Sequence, residues 1–229
     1  MMPPPTDYAS KFFNIPETPD RFVQYGGKDA KLRVIPVVRN NRQDNPKGIY
    51  VNCTSSGTES EKQLSPFYLG PCRLYGSKIA ERMENGWQFS KVYPEHVGSD
   101  GKPTKEYFRW ASKGWLSYRA QRHPMGKAAK ARFFWWAGKK LDRVTARKQI
   151  YVPLYVEQVV KQPFFKELKA LWDEFDKDGV LYLMDFDAYE YGTMTLSEDL
   201  NNPAKAMGHG FVLAMLLTND AALKECKLR

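Results

Sequence analysis

The sequence has no apolar run long enough to cross a bilayer. The longest, Phe211 to Leu217, holds seven residues, against roughly 20 for a membrane-spanning helix. Cysteine and histidine are scarce: Cys53, Cys72 and Cys226, then His96, His123 and His209, all widely scattered and without a C-x-x-C pair. An odd, dispersed set excludes a disulfide framework, and no metal site is expected. The opening residues Met1 to Asp7 lack the basic and apolar segments of a secretory signal, so a cytoplasmic location without membrane association is expected. Three catalytic signatures are missing as well. There is no G-x-x-x-x-G-K-[ST] phosphate loop, no G-x-S-x-G nucleophile elbow and no H-E-x-x-H zinc helix.

What the chain does have is a concentrated positive charge. Its 229 residues carry 35 Lys and Arg against 26 Asp and Glu, a formal +9. Between Lys113 and Lys148 stand 11 basic residues and a single acid, Asp142, so the remainder of the chain has a net charge of −1. Trp115, Tyr118, Phe133, Phe134, Trp135 and Trp136 lie in the same stretch. Cations that hold phosphates, interleaved with rings that stack on bases, suit a nucleotide, DNA or RNA. The other reading of the rings is structural: a helix from about Lys127 to Leu141 turns some of them into the core and its lysines to solvent.

Hydrophobic residues make up 42% of the chain, enough for one packed domain. The pattern predicts an α+β fold, mainly α-helical, as a single domain with a small N-terminal β-hairpin or sheet. Residues 1–60 read as an arm, irregular to about residue 30, followed by strands Leu32 to Val38 and Ile49 to Thr54 that a turn-rich segment joins as a hairpin. Residues 61–229 read as the mainly helical body of the domain. Helices are expected over Ser77 to Tyr93, where Ile79, Met83 and Trp87 form a buried stripe, and over Lys105 to Arg122, ended by His123-Pro124. Further helices are expected from Tyr151 to Val160, Phe164 to Phe175 and Pro203 to Leu217, with a buried strand from Val180 to Phe186. Gly86, inside the first helix, implies close approach of a neighbour to the backbone.

The chemistry-bearing cluster is Glu84, Gln88 and Lys91, polar residues at i, i+4 and i+7 on a stripe beside the apolar one. Leu64-Ser65-Pro66-Phe67-Tyr68 precedes it, and Asp187-Ala188-Tyr189-Glu190-Tyr191-Gly192 follows the buried strand. In this order the three stretches resemble the L-S-N-F-Y segment, the E-x-x-x-Q-x-x-K helix and the D-x-x-W-G element of the NADAR family, over about residues 60 to 218. Pro66 replaces the family's Asn, and the late element carries one extra residue before its aromatic. The resemblance implies a cofactor-independent enzyme that hydrolyses the N-glycosidic bond of a nucleotide, an ADP-ribosyl adduct or a modified nucleobase.

Cleavage of a C1′–N bond develops an oxocarbenium-like sugar, which a carboxylate stabilises. Glu84 is the expected carboxylate, with Gln88 and Asp187 as its catalytic companions. Trp87, Lys91, Phe67, Trp136, Tyr191 and Lys130 are the expected substrate-binding residues, through stacking and phosphate contact. Two alternatives stay open: a nucleic-acid-binding protein without catalysis, and a transferase that modifies DNA bases. In the plain reading Glu84 pairs with Lys91 or Arg82 on a solvated face. Asp185, Asp187 and Glu190 form a second acidic group after the strand, and His209, between two glycines, is expected to be a structural hydrogen-bonder.

Overall fold

A computed structural model describes residues 31–37, 48–175, 179–188 and 194–228. The expected arm over residues 1–30 lies outside them, as do the turn between the first two strands and residues 189–193. In chain order the elements are β1 (Leu32–Pro36), β2 (Gly48–Asn52), β3 (Cys72–Arg73), β4 (Ile79–Ala80), α1 (Met83–Gln88), β5 (Lys91–Val92), α2 (Lys105–Trp115), β6 (Phe133–Trp136) and β7 (Lys139–Leu141). A continuous helical rod follows, α3 (Arg143–Ala146) running through a π-helical turn (Arg147–Tyr151) into α4 (Val152–Val159). Then come α5 (Pro163–Asp173), β8 (Val180–Asp185), α6 (Leu196–Asn201) and α7 (His209–Thr218). The fold is α+β, and no helix among the described residues is long and apolar enough to cross a membrane.

The central sheet corrects the hairpin expectation. β1 and β2 do not pair with each other; β8 lies between them and runs parallel to both. The register brings Leu32 beside Leu181, and Val34 and Val51 on either side of Leu183. All five side chains are buried. Facing them is α7, which is apolar on every side and buried over most of its length, the composition of a helix enclosed by protein. A two-stranded hairpin could not cover that face; inserting β8 makes a sheet broad enough to do so. On the other face Tyr50 and Tyr182 stack at 4.5 Å between ring centroids.

Three expected helices also differ, and the one over Lys105 to Arg122 stops at Trp115, well before His123-Pro124. The helix over Ser77 to Tyr93 shrinks to α1, six residues, with β4 and β5 taking its ends. Met83 is fully buried, whereas Ile79 is exposed on β4. The basic helix over Lys127 to Leu141 is replaced by a loop and the β6–β7 hairpin. Four successive aromatics favour the pleated surface of a strand, and Ala137 and Gly138 turn the chain at φ 49° and 81°. Lys139 and Lys140 project to solvent from β7. β6 pairs on its other edge with β5, which sets Lys91 beside Phe134.

Pro153 lies in the first turn of α4. Its missing N–H falls where the π-helical turn relaxes to α-helix, so the rod continues through it. A Cβ on Gly86 would stand 3.2 Å from methyl carbons of both Leu154 and Leu74, so α1 packs closely on α4 as the glycine implied.

Candidate functional site

α1 is the floor of a cleft of about 710 Å³. Glu84, Trp87, Gln88, Lys91, Lys130 and Asp187 all line it. The i, i+4 spacing of Glu84 and Gln88 survives the shortening of the helix, because one turn suffices to align them. Gln88 Nε2 donates to Glu84 Oε1 at 2.8 Å, and Lys91 Nζ donates to Gln88 Oε1 at 2.6 Å. Gln88 thus stands between the acid and the cation. The direct Glu84 pairing with Lys91 or Arg82 is not formed, and Glu84 is not on a solvated face: it is 5% exposed. Arg82 instead donates to the backbone carbonyls of Tyr118 and Tyr68.

Burial pushes the Glu84 carboxyl above its usual range; the Gln88 hydrogen bond and then Lys91, His209 and Arg122 oppose that rise. Lys91 is pushed down to about 8, chiefly by burial, with Glu84 opposing. Among the described residues Glu84 Oε2 makes no hydrogen bond, so one carboxylate oxygen is held and the other is not.

Beside this cleft lies a smaller recess of about 30 Å³. Glu84, Arg122, Tyr151 and Asp187 border both spaces, and Ser65 and Phe67 close the recess. The three sequence stretches therefore meet around Glu84. Asp187 is paired with Arg122, Oδ1 to Nη2 at 2.8 Å, and Arg122 also lies over the ring of Phe186 at 5.4 Å.

Asp185, at the end of β8, ties the recess to α7. Its Oδ2 accepts from Gly210 N–H at 2.8 Å and faces His209 Nδ1 at 3.2 Å. His209 Nε2 lies 2.6 Å from the Cys53 carbonyl oxygen. That nitrogen must carry a hydrogen, because a carbonyl only accepts. His209 is the structural hydrogen-bonder expected, joining the chain after β2 to the end of β8. The flanking glycines are required by this approach. A Cβ at Gly208 would fall 2.1 Å from Asp185 Oδ2, and one at Gly210 2.9 Å from Val34 Cγ1.

Not every expected residue converges here. Trp136 is buried against Tyr75, ring centroids 4.9 Å apart, and does not line the cleft. Tyr191 and Glu190 lie outside the described residues. Trp87 borders the cleft with its ring stacked on Phe134 at 4.5 Å and tilted to Tyr151 at 5.1 Å, so it is a fixed wall and not an open stacking platform.

Arg122, Tyr151, Arg132 and Arg143 are wall residues that the motifs did not single out. Arg122 and Arg132 were visible only as members of the basic stretch, and nothing in the sequence marks Tyr151. Arg147 borders the cleft but serves the scaffold: it donates to the carbonyls of Asp199, Leu200, Asn202 and Lys205 and so closes the end of α6. Lys130 and Arg132 remain exposed at the edge.

Among the described residues no group of three or more His, Cys, Asp or Glu side chains is arranged to hold a metal ion. The chain matches no family model, and no curated protein or solved structure is significantly similar to it.

Proposed function

We propose that the cleft hydrolyses the N-glycosidic bond of a phosphorylated, nucleotide-derived substrate, with Glu84 as the essential carboxylate. The observation that carries the reading is the meeting of Glu84, Gln88, Lys91 and Asp187 in one cleft edged by cations, with one oxygen of the Glu84 carboxylate free of hydrogen bonds among the described residues. The volume suits a nucleotide. Positive charge developing at the anomeric carbon is stabilised by a carboxylate that is itself largely withdrawn from water, where the interaction is strongest. Gln88 fixes the orientation of that carboxylate and transmits to it the field of Lys91. Lys130 and Arg132 are placed to meet phosphate oxygens at the rim. The ADP-ribosyl adduct and the modified base both satisfy these contacts, and hydrolysis by this route calls on no cofactor.

A site made only for binding a polyanion would be weakened by a carboxylate on its floor, which favours the enzyme over the binder without catalysis. The deciding experiment compares wild type with Glu84→Gln on a panel of nucleoside monophosphates and ADP-ribosylated nucleosides, following release of free base. The amide keeps the oxygen that Gln88 bonds. A fall of about 10²–10³ in rate is expected with the melting temperature retained. Equal turnover by both proteins, or none by wild type on any N-glycoside, overturns the reading.

A further inference from the structure

We propose that the substrate is presented to this cleft as part of a single-stranded nucleic acid, which crosses a rim of exposed rings led by Tyr118. This deepens the glycosidase reading and rests on it for what happens inside the cleft; the rim has its own observations.

Tyr118 is 73% exposed, and among the described residues its ring stacks on none. Such a residue in a loose loop would be unremarkable, but this loop is fixed. Asn85, wholly buried, donates through Nδ2 to the carbonyls of Ser117 and Arg119 at 2.9 and 3.0 Å and accepts from Gln121 N–H at 2.9 Å. Arg82 clasps the Tyr118 carbonyl at 3.0 Å and the Tyr68 carbonyl at 3.1 Å.

The same guanidinium therefore holds two segments whose rings face solvent, since Tyr68 is 47% exposed. Tyr68 directly follows Phe67 of the recess, and Phe186, 48% exposed, lines that recess. The segments that carry Tyr118 and Tyr68 are thus joined at Arg82, and each lies within four residues of a side chain that lines the recess, Arg122 for the one and Phe67 for the other.

Charge selects the occupant. From Tyr107 to Leu141 the chain has no carboxylate, and Arg119, Lys127, Lys130 and Arg132 are exposed along it. Exposed rings on anchored backbone, with cations beside them, match the two repeating features of a strand, bases and phosphates. Paired bases present no free face to such rings, so the strand must be single.

Anisotropy of a fluorescein-labelled 12-nucleotide DNA or RNA, titrated with the Glu84→Gln protein across a series of KCl concentrations, tests the proposal without requiring turnover. Single strands should bind more tightly than the matching duplex. Tyr118→Ala should weaken strand binding about 5- to 100-fold, the range for loss of one stacked base, while hydrolysis of a free mononucleotide by the otherwise wild-type chain is unchanged. Replacing Arg119 and Lys130 together by Ala should make the salt dependence shallower by about 1.4 in log–log slope, about 0.7 for each phosphate no longer neutralised.

Duplex binding as tight as single-strand binding, or Tyr118→Ala indistinguishable from its parent, overturns the proposal. Hydrolysis of free nucleotides with no strand binding overturns the rim alone. Strand binding with no hydrolysis of any N-glycoside overturns the glycosidase reading alone.

Discussion

Truncating Asn85 to Ala should loosen the loop over residues 117–121 and destabilise the whole domain. The side chain is 0% exposed and makes three hydrogen bonds to that loop, donating two and accepting one. Each is worth about 0.5–1.5 kcal/mol net, and a buried group left without its partner costs about 1–3 kcal/mol. Water reaches the loop side of these bonds and replaces part of the loss, so the sum is about 2–4 kcal/mol. For a chain of this size that corresponds to a fall of about 5–15 °C in melting temperature.

Urea denaturation followed by far-UV circular dichroism measures the first quantity and differential scanning fluorimetry the second. Asn85→Asp supplies a sharper test, because it keeps the acceptor for Gln121 but turns an oxygen towards the Ser117 and Arg119 carbonyls. At neutral pH it should be at least as destabilising as Ala. Acidification should recover part of the loss, since the protonated carboxyl can donate one of the missing bonds. A change below about 0.5 kcal/mol for Asn85→Ala, or an Asp variant as stable as the parent at pH 7, would refute the account of the loop as anchored from the buried side.

Two further stability predictions follow from close contacts and from charge. A Cβ on Gly114 would stand 2.1 Å from the Cδ1 and Cε1 atoms of Phe89, which is itself buried and packed on Trp110 at 4.6 Å; Gly114→Ala should cost about 2–3 kcal/mol in chemical denaturation. Gly86→Ala meets only the ends of two leucines and should stay within about 1 kcal/mol of the parent, helped by alanine's helix propensity; equal effects at the two glycines would contradict the packing. Glu225 accepts from Asn201, Lys148 and Ser197, which hold its carboxyl down to about 2. Because the folded value lies below the unfolded one, its contribution is present above about 4.5 and is lost as pH falls towards 2. Glu225→Gln should therefore differ from wild type at pH 6 and approach it near pH 2, and a constant difference across that range would exclude the network.

The α+β class, the strand at β8 and the polar stripe on α1 were readable because each depends on neighbours in sequence. Glu84 and Gln88 need a single helical turn to align, so they meet even though α1 is far shorter than its pattern suggested. The basic segment misled because its Lys and Ala residues favour helix while Phe133 to Trp136 favour strand. Ala137-Gly138 was the available signal, a pair able to turn left-handed between two short runs. The partner of β1 and β2 could not be read at all. Nothing local says that Leu183 will sit between Val34 and Val51, since that choice is made by the burial of one sheet face under α7. Arg122 and Tyr151 escaped notice for the same reason, as they reach the cleft only through contacts between distant segments.

The position of β8 has a consequence for synthesis. The ribosome delivers β1 and β2 early, then roughly 130 further residues before the strand that separates them begins. Until then both strands lack the partner that they have among the described residues, and a chain that stalls in between exposes surfaces suited to pairing with another copy. Asp185, the residue that fastens α7 to the recess, is also the last residue of β8. The floor of the cleft is made early, but its far wall is set only when β8 and α7 emerge. Synthesis of those two elements and assembly of the site are thus nearly the same event.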